Sequence, residues 1–389
     1  MRVVHIIDNH SPQDARVHRR QAKTLAAAGY DVHILGGLGS APDDPDVTFH
    51  KGGAPTVDAV RKVDVGWPLS KRLTWTYRMY KAARRLRADV YHIHEPLLIP
   101  TGLLLKAGGA RVIYDAHEDY RAVARRKAST WSVRGVGRTA AYTSLEAFAR
   151  RWFDGVIAAT PHIAEVHATA RRLTILRNFP VTGVMGTAAE GSPYGERPRN
   201  VAYIGGIARE RGIMEIVGAM ALLPASLGAR MVLAGHFRSP GLSDTVAAQP
   251  GWSAVDYLGQ LDYDAIPGVL ARARVGLVTL HPVPNHVEAM PVKMFEYMDA
   301  GLPVIASDFP LWRSIVEEAG CGLLVDPMDP AGIADAMRWL LEHPAEAQAM
   351  GERGRDLIRT RLSWAAEAPA LLDFYEAIGC RPDAASTGR

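Results

Sequence analysis

The stretch EAMPVKMFEYMDAGLPVIASD, Glu288 to Asp308, decides how the rest of the chain reads. It divides into a loop, a short helix and a buried strand, with the carboxylates Glu288 and Glu296 at either end of its first part. Pro291 suits the first turn of a helix, where its missing N–H would have no partner in any case. Gly301 suits the stop, because glycine enters the left-handed conformation cheaply. The spacing therefore predicts a helix over about residues 291–300. Glu288 falls in the loop before it, Glu296 more than one turn inside, and Lys293 one turn earlier on a neighbouring face. The unpaired N–H groups at the start of that helix, those of Val292 and Lys293 among them, combine with a dipole of roughly half a positive charge. That end is a place for an anion, a phosphate above all.

Outward from this stretch, strands and helices alternate. Val3 to Ile7 reads as an apolar strand, Ala15 to Ala28 as helical with Gly29 as its stop, and Tyr30 to Leu35 as the next strand. In such a β-α-β unit the loop after the first strand faces the ligand side of a parallel sheet. A helix from about Leu69 to Arg87 leads into ADVYHIHE (88–95), a helix containing Pro100, and RVIYDAHEDY (111–120). Apolar residues run to the carboxyl end of both strands, where polar ones begin: His94 and Glu95 in one, Asp115, His117, Glu118 and Asp119 in the next. Ligands of open α/β sheets bind at that edge. Residues 137–152 read as a helix, followed by a strand from Asp154, a helix capped by Thr160 with Pro161 in its first turn, and LTILRNFP (173–180). Val181 to Asn200, rich in Gly, Pro, Ser and Glu, reads as a linker.

The second half opens with NVAYIGGIARERGI (200–213), in which strand, glycine pair, basic loop and helix follow one another, a grammar suited to phosphate. Gly205, Gly206, Arg209 and Arg211 are its candidates. Strands follow at Met231, at Ala254 and over Arg274–Leu280. HPVPNH then leads into Glu288 and places Asn285 and His286 beside it. Beyond the opening stretch come a helix from Pro310, the strand CGLLVD, a helix capped by Asp329 and ending at Pro344, and a final helix from about Trp364 to Ile378.

The pair Glu288 and Glu296, seven residues between them, followed by AGLPVIASD, resembles the donor-site signature of retaining glycosyltransferases with the GT-B fold, family 4 in particular. The resemblance is strong over 200–326 and loose over 1–180. It implies an α/β protein of two Rossmann-like domains facing each other across a cleft. Residues 1–180 would lie on the acceptor side, 181–200 would link, 201–362 would hold the donor, and a helix over 363–380 would cross back to the first domain. By the same resemblance Glu288 and His117 are the catalytic pair, Glu288 contacting the donor sugar. The backbone around Pro291, Val292 and Lys293 holds the diphosphate, and Glu296 binds the ribose hydroxyls. Arg211 stands where a basic residue, more often lysine, clamps the diphosphate. Two departures matter. The family's earlier arginine is replaced by Gly206, so its work is assigned to Arg209. The first loop, NHSPQDAR, has no glycine where the family is glycine-rich, so Asp14 and Arg16 must shape it, and Arg16 or Arg19 would reach an anion. Arg16, His94, Glu118, Asp119 and His286 are candidates for sugar or acceptor contacts.

The implied function is transfer of a sugar from a nucleoside diphosphate sugar to an alcohol or amine acceptor, a lipid-linked saccharide or a natural product. It implies retention of configuration, no cofactor beyond the donor substrate, and no metal, there being no aspartate pair of the chelating sort. A GT-B sugar phosphorylase, a nucleotide-sugar epimerase and a non-catalytic sugar-nucleotide-binding protein remain alternatives. A nicotinamide dehydrogenase is disfavoured, since no GxGxxG follows the first strand.

Composition agrees with this. A chain of 389 residues with 48% hydrophobic content is long enough for two cores. Cys321 and Cys380 lack metal-like spacing and read as buried thiols. The opening MRVVHIID is too short for a signal sequence and no apolar run is long enough to span a bilayer, so a soluble, cytoplasmic protein is expected, with PDAASTGR at its end disordered. The net charge of +4 is unevenly spread. Lys71, Arg72, Arg78, Lys81, Arg84, Arg85 and Arg87 cluster with Trp75, Tyr77 and Tyr80, and a second basic stretch carries Arg121, Arg125, Arg126, Lys127, Arg134 and Arg138. A solvated helix face explains the first cluster, and so does peripheral contact with an anionic membrane on its inner face. No motif supports nucleic acid.

Overall fold

Apolar runs such as Val90–Ile93 and Val275–Val278 are buried along their whole length, as strands are when helices cover both faces of a parallel sheet. The computed structural model describes residues 1–8, 14–36, 42–50, 69–122, 133–186 and 193–382. Most of the loop 9–16, the basic residues Arg125, Arg126 and Lys127, the side chains of Arg134 and Arg138, part of the segment 181–200 and the end of the C-terminal tail lie outside what is described. The chain divides into two units, Met1–Asn178 with Glu367–Arg389, and Phe179–Ala366.

The first unit is built on a seven-stranded parallel sheet: β1 (Arg2–Ile7), β2 (Asp31–Gly36), β3 (Val47–His50), β4 (Val90–Ile93), β5 (Arg111–Ala116), β6 (Gly155–Ala158) and β7 (Leu173–Ile175), in the order β3-β2-β1-β4-β5-β6-β7. The order reverses between β1 and β4, the switch point where α/β sheets bind ligands. Alternate residues of the strands, Tyr91 and Ile93, Val112 and Tyr114, form a core with Trp75, Met79 and Ala83 of α1 (Leu69–Arg85), Ile99 and Leu105 of α2 (Ile99–Ala107), and Ala149 of α3 (Val133–Trp152).

The second unit has a six-stranded parallel sheet: β8 (Asn200–Ile204), β9 (Arg230–Ala234), β10 (Val255–Gly259), β11 (Val275–Val278), β12 (Val304–Ser307) and β13 (Gly322–Val325), in the order β10-β9-β8-β11-β12-β13, with its switch between β8 and β11. Its main helices are α4 (Ile213–Leu222), α5 (Val292–Asp299), α6 (Pro310–Ala319), α7 (Pro330–Glu342) and α8 (Pro344–Thr360). α9 (Trp364–Ala377) begins in the second unit and passes at Glu367 into the first. There Tyr375 Oη lies 3.0 Å from His92 Nδ1, on the opposite sheet face from Tyr91, and Tyr30 donates to the carbonyl of Cys380 at 2.7 Å.

Several elements differ from the sequence reading. Pro291 stands one residue outside α5 as its cap, with extended backbone (ψ 118°), rather than in the first turn. Pro344, read as the end of one helix, is the first residue of the next: its missing N–H costs nothing there, and α8 continues for 17 residues against α5. The first helix starts as a π-helical turn, Ala15–Ala22, with Asp14 accepting from the amides of Arg16 and Val17. The described part of the segment read as a linker belongs to the second unit, where the amides of Gly183 and Met185 donate to the buried carboxylate of Asp299 at 2.8 and 2.9 Å.

Candidate active site

In the second unit the loops after β8 and β9 are laced together, Gly205 N to Ala234 O at 2.8 Å, Ile207 N to His236 O at 2.9 Å and Arg238 N to Ile207 O at 2.9 Å. Gly235 is the position that permits it. Its φ is +146°, and a Cβ there would collide with the Gly205 carbonyl. The lacing sets the Arg238 guanidinium against Gly206, where an added Cβ would come within 2.5 Å of Nε. It is Arg238, from the neighbouring strand's loop, that occupies the space left by Gly206. Arg209 is exposed in the short turn Arg209–Arg211.

Beneath these loops lies Tyr203, whose hydroxyl donates to the Gly206 carbonyl at 3.1 Å. Lys293, in the first turn of α5, sets Nζ 3.5 Å from the centroid of the Tyr203 ring, a cation–π contact. The lysine is buried, and Nζ has no hydrogen-bond partner among the described residues. Burial holds its pKa well below the ordinary lysine value, the charges of Arg211 and Arg238 push the same way, and Glu296 pulls back. So Arg211, Lys293 and Glu296 come together as the sequence suggested, and Arg238 joins them. Glu296 is buried in α5. Glu288 is exposed, ending the one-turn helix Pro284–Val287, in which His286 is buried with Nδ1 3.2 Å from the carbonyl of His281. Tyr297 fixes the edge from below, its hydroxyl accepting the Ile204 amide at 2.8 Å.

In the first unit the switch point is lined by histidines. His5 Nδ1 is 2.9 Å from His94 Nε2, and His94 Nδ1 is 3.2 Å from His117 Nε2. Asp115 joins them at 3.4 Å to His94 and 3.3 Å to His117. Arg16 is buried rather than open to an incoming anion: its fork donates to both oxygens of Asp115 at 3.0 and 2.7 Å, and Nη1 donates to the Leu176 carbonyl at 2.7 Å. Gln21 adds a further bond to Asp115 at 2.7 Å. Burial alone would raise the Asp115 pKa, but Arg16 and the histidines outweigh it and hold the carboxyl well below its usual range. His5, His92 and His94 are kept below the ordinary histidine value by burial and so stay neutral near pH 7. Asp119 accepts the amides of Arg121 and Ala122 at 3.0 and 3.1 Å, a turn-capping task, while Glu118 is exposed.

By donor type, His5, His92 and His94, or His94, Asp115 and His117, form groups able to hold a metal ion. The His92 and His94 rings are stacked at 23°, as are His5 and His94 at 22°, so their in-plane lone pairs do not converge on one centre. The Asp115 charge is already matched by Arg16. The arrangement is that of a hydrogen-bonded array that orients His117. Arg238 and the Arg16–Asp115 pair are the members the sequence reading missed. The signals were Gly206 itself, which leaves room for another residue's side chain, and the basic residue in AGHFR just past the β9 carboxyl end.

Residues 15–179 match the family described as Glycosyltransferase Family 4, and residues 188–357 the one described as Glycosyl transferases group 1. Among curated proteins, glycogen synthase of Mycobacterium tuberculosis is 24% identical over 384 residues, covering 90% of this chain and 87% of that protein. Phosphatidyl-myo-inositol mannosyltransferase of Mycobacterium leprae is 23% identical over 375 residues, covering 92% and 91%. Among solved structures, sucrose-phosphate synthase from Thermosynechococcus elongatus superposes with a TM-score of 0.75 at 20% identity, covering 97% of this chain and 99% of that one. Anabaena HepE in complex with UDP-glucose does so with a TM-score of 0.71 at 13% identity, covering 97% and 100%. The two sheets, their switch-point loops and these matches define a glycosyltransferase with the GT-B fold. Within that class the first half of the chain matches the model of glycosyltransferase family 4 and the second half that of glycosyl transferases group 1.

Proposed function

We propose that the chain moves a sugar from a nucleoside diphosphate donor to an alcohol or amine acceptor, with retention at the transferred carbon and without a divalent metal. The observation that carries this is the gathering of Arg211, Arg238 and Lys293 about Tyr203, with the Lys293 ammonium buried and unpaired. Three cations collected in this way, with the carboxylates of Glu296 and Glu210 nearby, suit a multiply charged anion from outside. A departing diphosphate gains most from them in the transition state, as the bond from the sugar's anomeric carbon to the β-phosphate oxygen breaks and its electron pair passes to the phosphate. The acceptor oxygen bonds to that carbon, and its proton ends on the released diphosphate. In this reading Glu288 binds the donor sugar, Glu296 the ribose hydroxyls, and His117, oriented by Asp115 and His94, a sugar or acceptor hydroxyl. The relatives support sugar transfer as the reaction class, and the UDP-glucose named with HepE supports a donor of this chemical kind. A cytoplasmic reaction belongs to the same reading.

A thermal-shift series with UDP, GDP, dTDP and ADP, with and without EDTA, tests it. A diphosphate at ~100 times its Kd stabilises by about 2.7 kcal/mol, enough to move the midpoint by several degrees. One diphosphate should do so with EDTA making no difference. Glu288→Gln should then lower turnover about a hundredfold or more and leave that shift in place. Absence of any shift, or its loss with EDTA, overturns the proposal.

A further inference from the structure

The three helices on one face of the first sheet turn an unusual surface outward. α1 packs on α2 and α2 on α3, forming one continuous layer. All the exposed large apolar side chains described in the first unit lie on it: Leu73 and Tyr77 of α1, Leu104 of α2, Phe148 and Trp152 of α3. Among them stand the exposed cations Lys71, Arg78, Lys81, Arg84, Arg85 and Arg151. Lys81 lies over the Tyr77 ring at 5.3 Å and Arg151 over the Trp152 ring at 5.1 Å. Neither α1 nor α2 contains an acidic residue, and the one carboxylate of α3, Glu146, is buried. No helix among the described residues is long and apolar enough to cross a membrane.

We propose that this face docks on an anionic lipid bilayer, which then presents the acceptor. Aromatic and leucine side chains projecting singly between basic ones match the boundary between headgroups and acyl chains. A second copy of the face would meet like charge. A nucleic acid would use the cations and leave Leu73, Leu104 and Phe148 without a partner. Only the presentation of the acceptor rests on the transferase reading. The docking itself does not, and diphosphate binding in solution separates failure of one from failure of the other.

The test is co-sedimentation of the full chain with phosphatidylcholine vesicles, with and without 30% phosphatidylglycerol, at low and high salt. Binding should require the anionic lipid and weaken with salt. At roughly fivefold per basic residue, Lys81→Glu with Arg84→Glu and Arg85→Glu should lower partition about a hundredfold or more, with the diphosphate-induced thermal shift unchanged. Leu73→Ser with Trp152→Ser should weaken binding at high salt, where screening leaves the apolar contribution. Equal partition onto neutral vesicles, no partition at all, or indifference to the triple substitution overturns the proposal. So does tight binding of a single-stranded RNA that the Leu73→Ser, Trp152→Ser protein retains in full while neither protein pellets with vesicles.

Discussion

Removing Arg238 should cost diphosphate affinity and nothing else. Its guanidinium stands where a side chain at position 206 would be, and it shares its surroundings with Arg211 and Lys293. A charged fork on a phosphate is worth about 1.5–3 kcal/mol. Part of that returns in the variant, because loss of Arg238 relieves the repulsion that helps to depress the Lys293 pKa. Arg238→Ala should therefore weaken the diphosphate that stabilises the wild type by about 1.5–2 kcal/mol, a factor of about 10–30 in Kd. The corresponding nucleoside, having no phosphate, should bind within about twofold of wild type. Gly206→Ala offers an independent approach, because its Cβ would fall 2.5 Å from Nε and must displace the guanidinium. It should weaken the diphosphate by a smaller factor, and in the Arg238→Ala background it should weaken it no further, the non-additivity expected of two changes acting on one group. Isothermal titration with diphosphate and nucleoside reads all of these. A diphosphate Kd within twofold of wild type for Arg238→Ala, or an equal loss for the nucleoside, would show that Arg238 only packs against the loop.

Lys293→Met should raise the melting temperature of the ligand-free protein by a few degrees, since it replaces a buried, unpaired ammonium with a side chain of similar length, and should abolish the diphosphate shift; a lower midpoint would refute the reasoning. Because burial and neighbouring cations depress the Lys293 pKa and a bound anion raises it, diphosphate binding should take up protons, visible as a buffer-dependent heat. Burial raises the Glu146 pKa to about 7 from its ordinary 4.5, Arg121 opposing only in part. Its contribution to stability is thus fully present below about pH 4.5 and is lost as pH rises through about 7, a swing of about 3 kcal/mol. Glu146→Gln should flatten the fall in stability over that window, and urea titrations of both proteins at pH 5 and pH 8 with the same difference would refute it. Arg16→Met should destabilise the first unit by about 3–5 kcal/mol, by leaving the Asp115 carboxylate buried without its partner, and chemical denaturation measures it.

What the sequence disclosed and what it concealed follow from the range of the interactions involved. Apolar runs buried on both faces of a sheet announce themselves within five or six residues, so the strands and their polar carboxyl ends were legible. Lys293 and Glu296 were legible because both lie on one short helix. Arg238 was not, because its position against Gly206 depends on two loops from adjacent strands being bonded together, a relation across more than thirty positions. Arg16 was read as reaching an anion or a sugar because nothing near it in sequence reveals Asp115, 99 residues away. Pro344 misled for a different reason: proline ends one helix and begins another by the same chemistry, and only the residues after it distinguish the two.

The passage of α9 into the first unit bears on how the protein is made. Tyr375 and Cys380 supply partners for His92 and Tyr30, and Phe374 lies against Gly155, so the first unit is closed by the last described residues of the chain. A ribosome delivers those residues only after the whole of the second unit. The second unit, continuous from Phe179 to Ala366, is complete in sequence before the first one is. The order of maturation during synthesis should therefore run opposite to the order of the sequence, with the amino-terminal sheet waiting, part of one face uncovered, until α9 has been made.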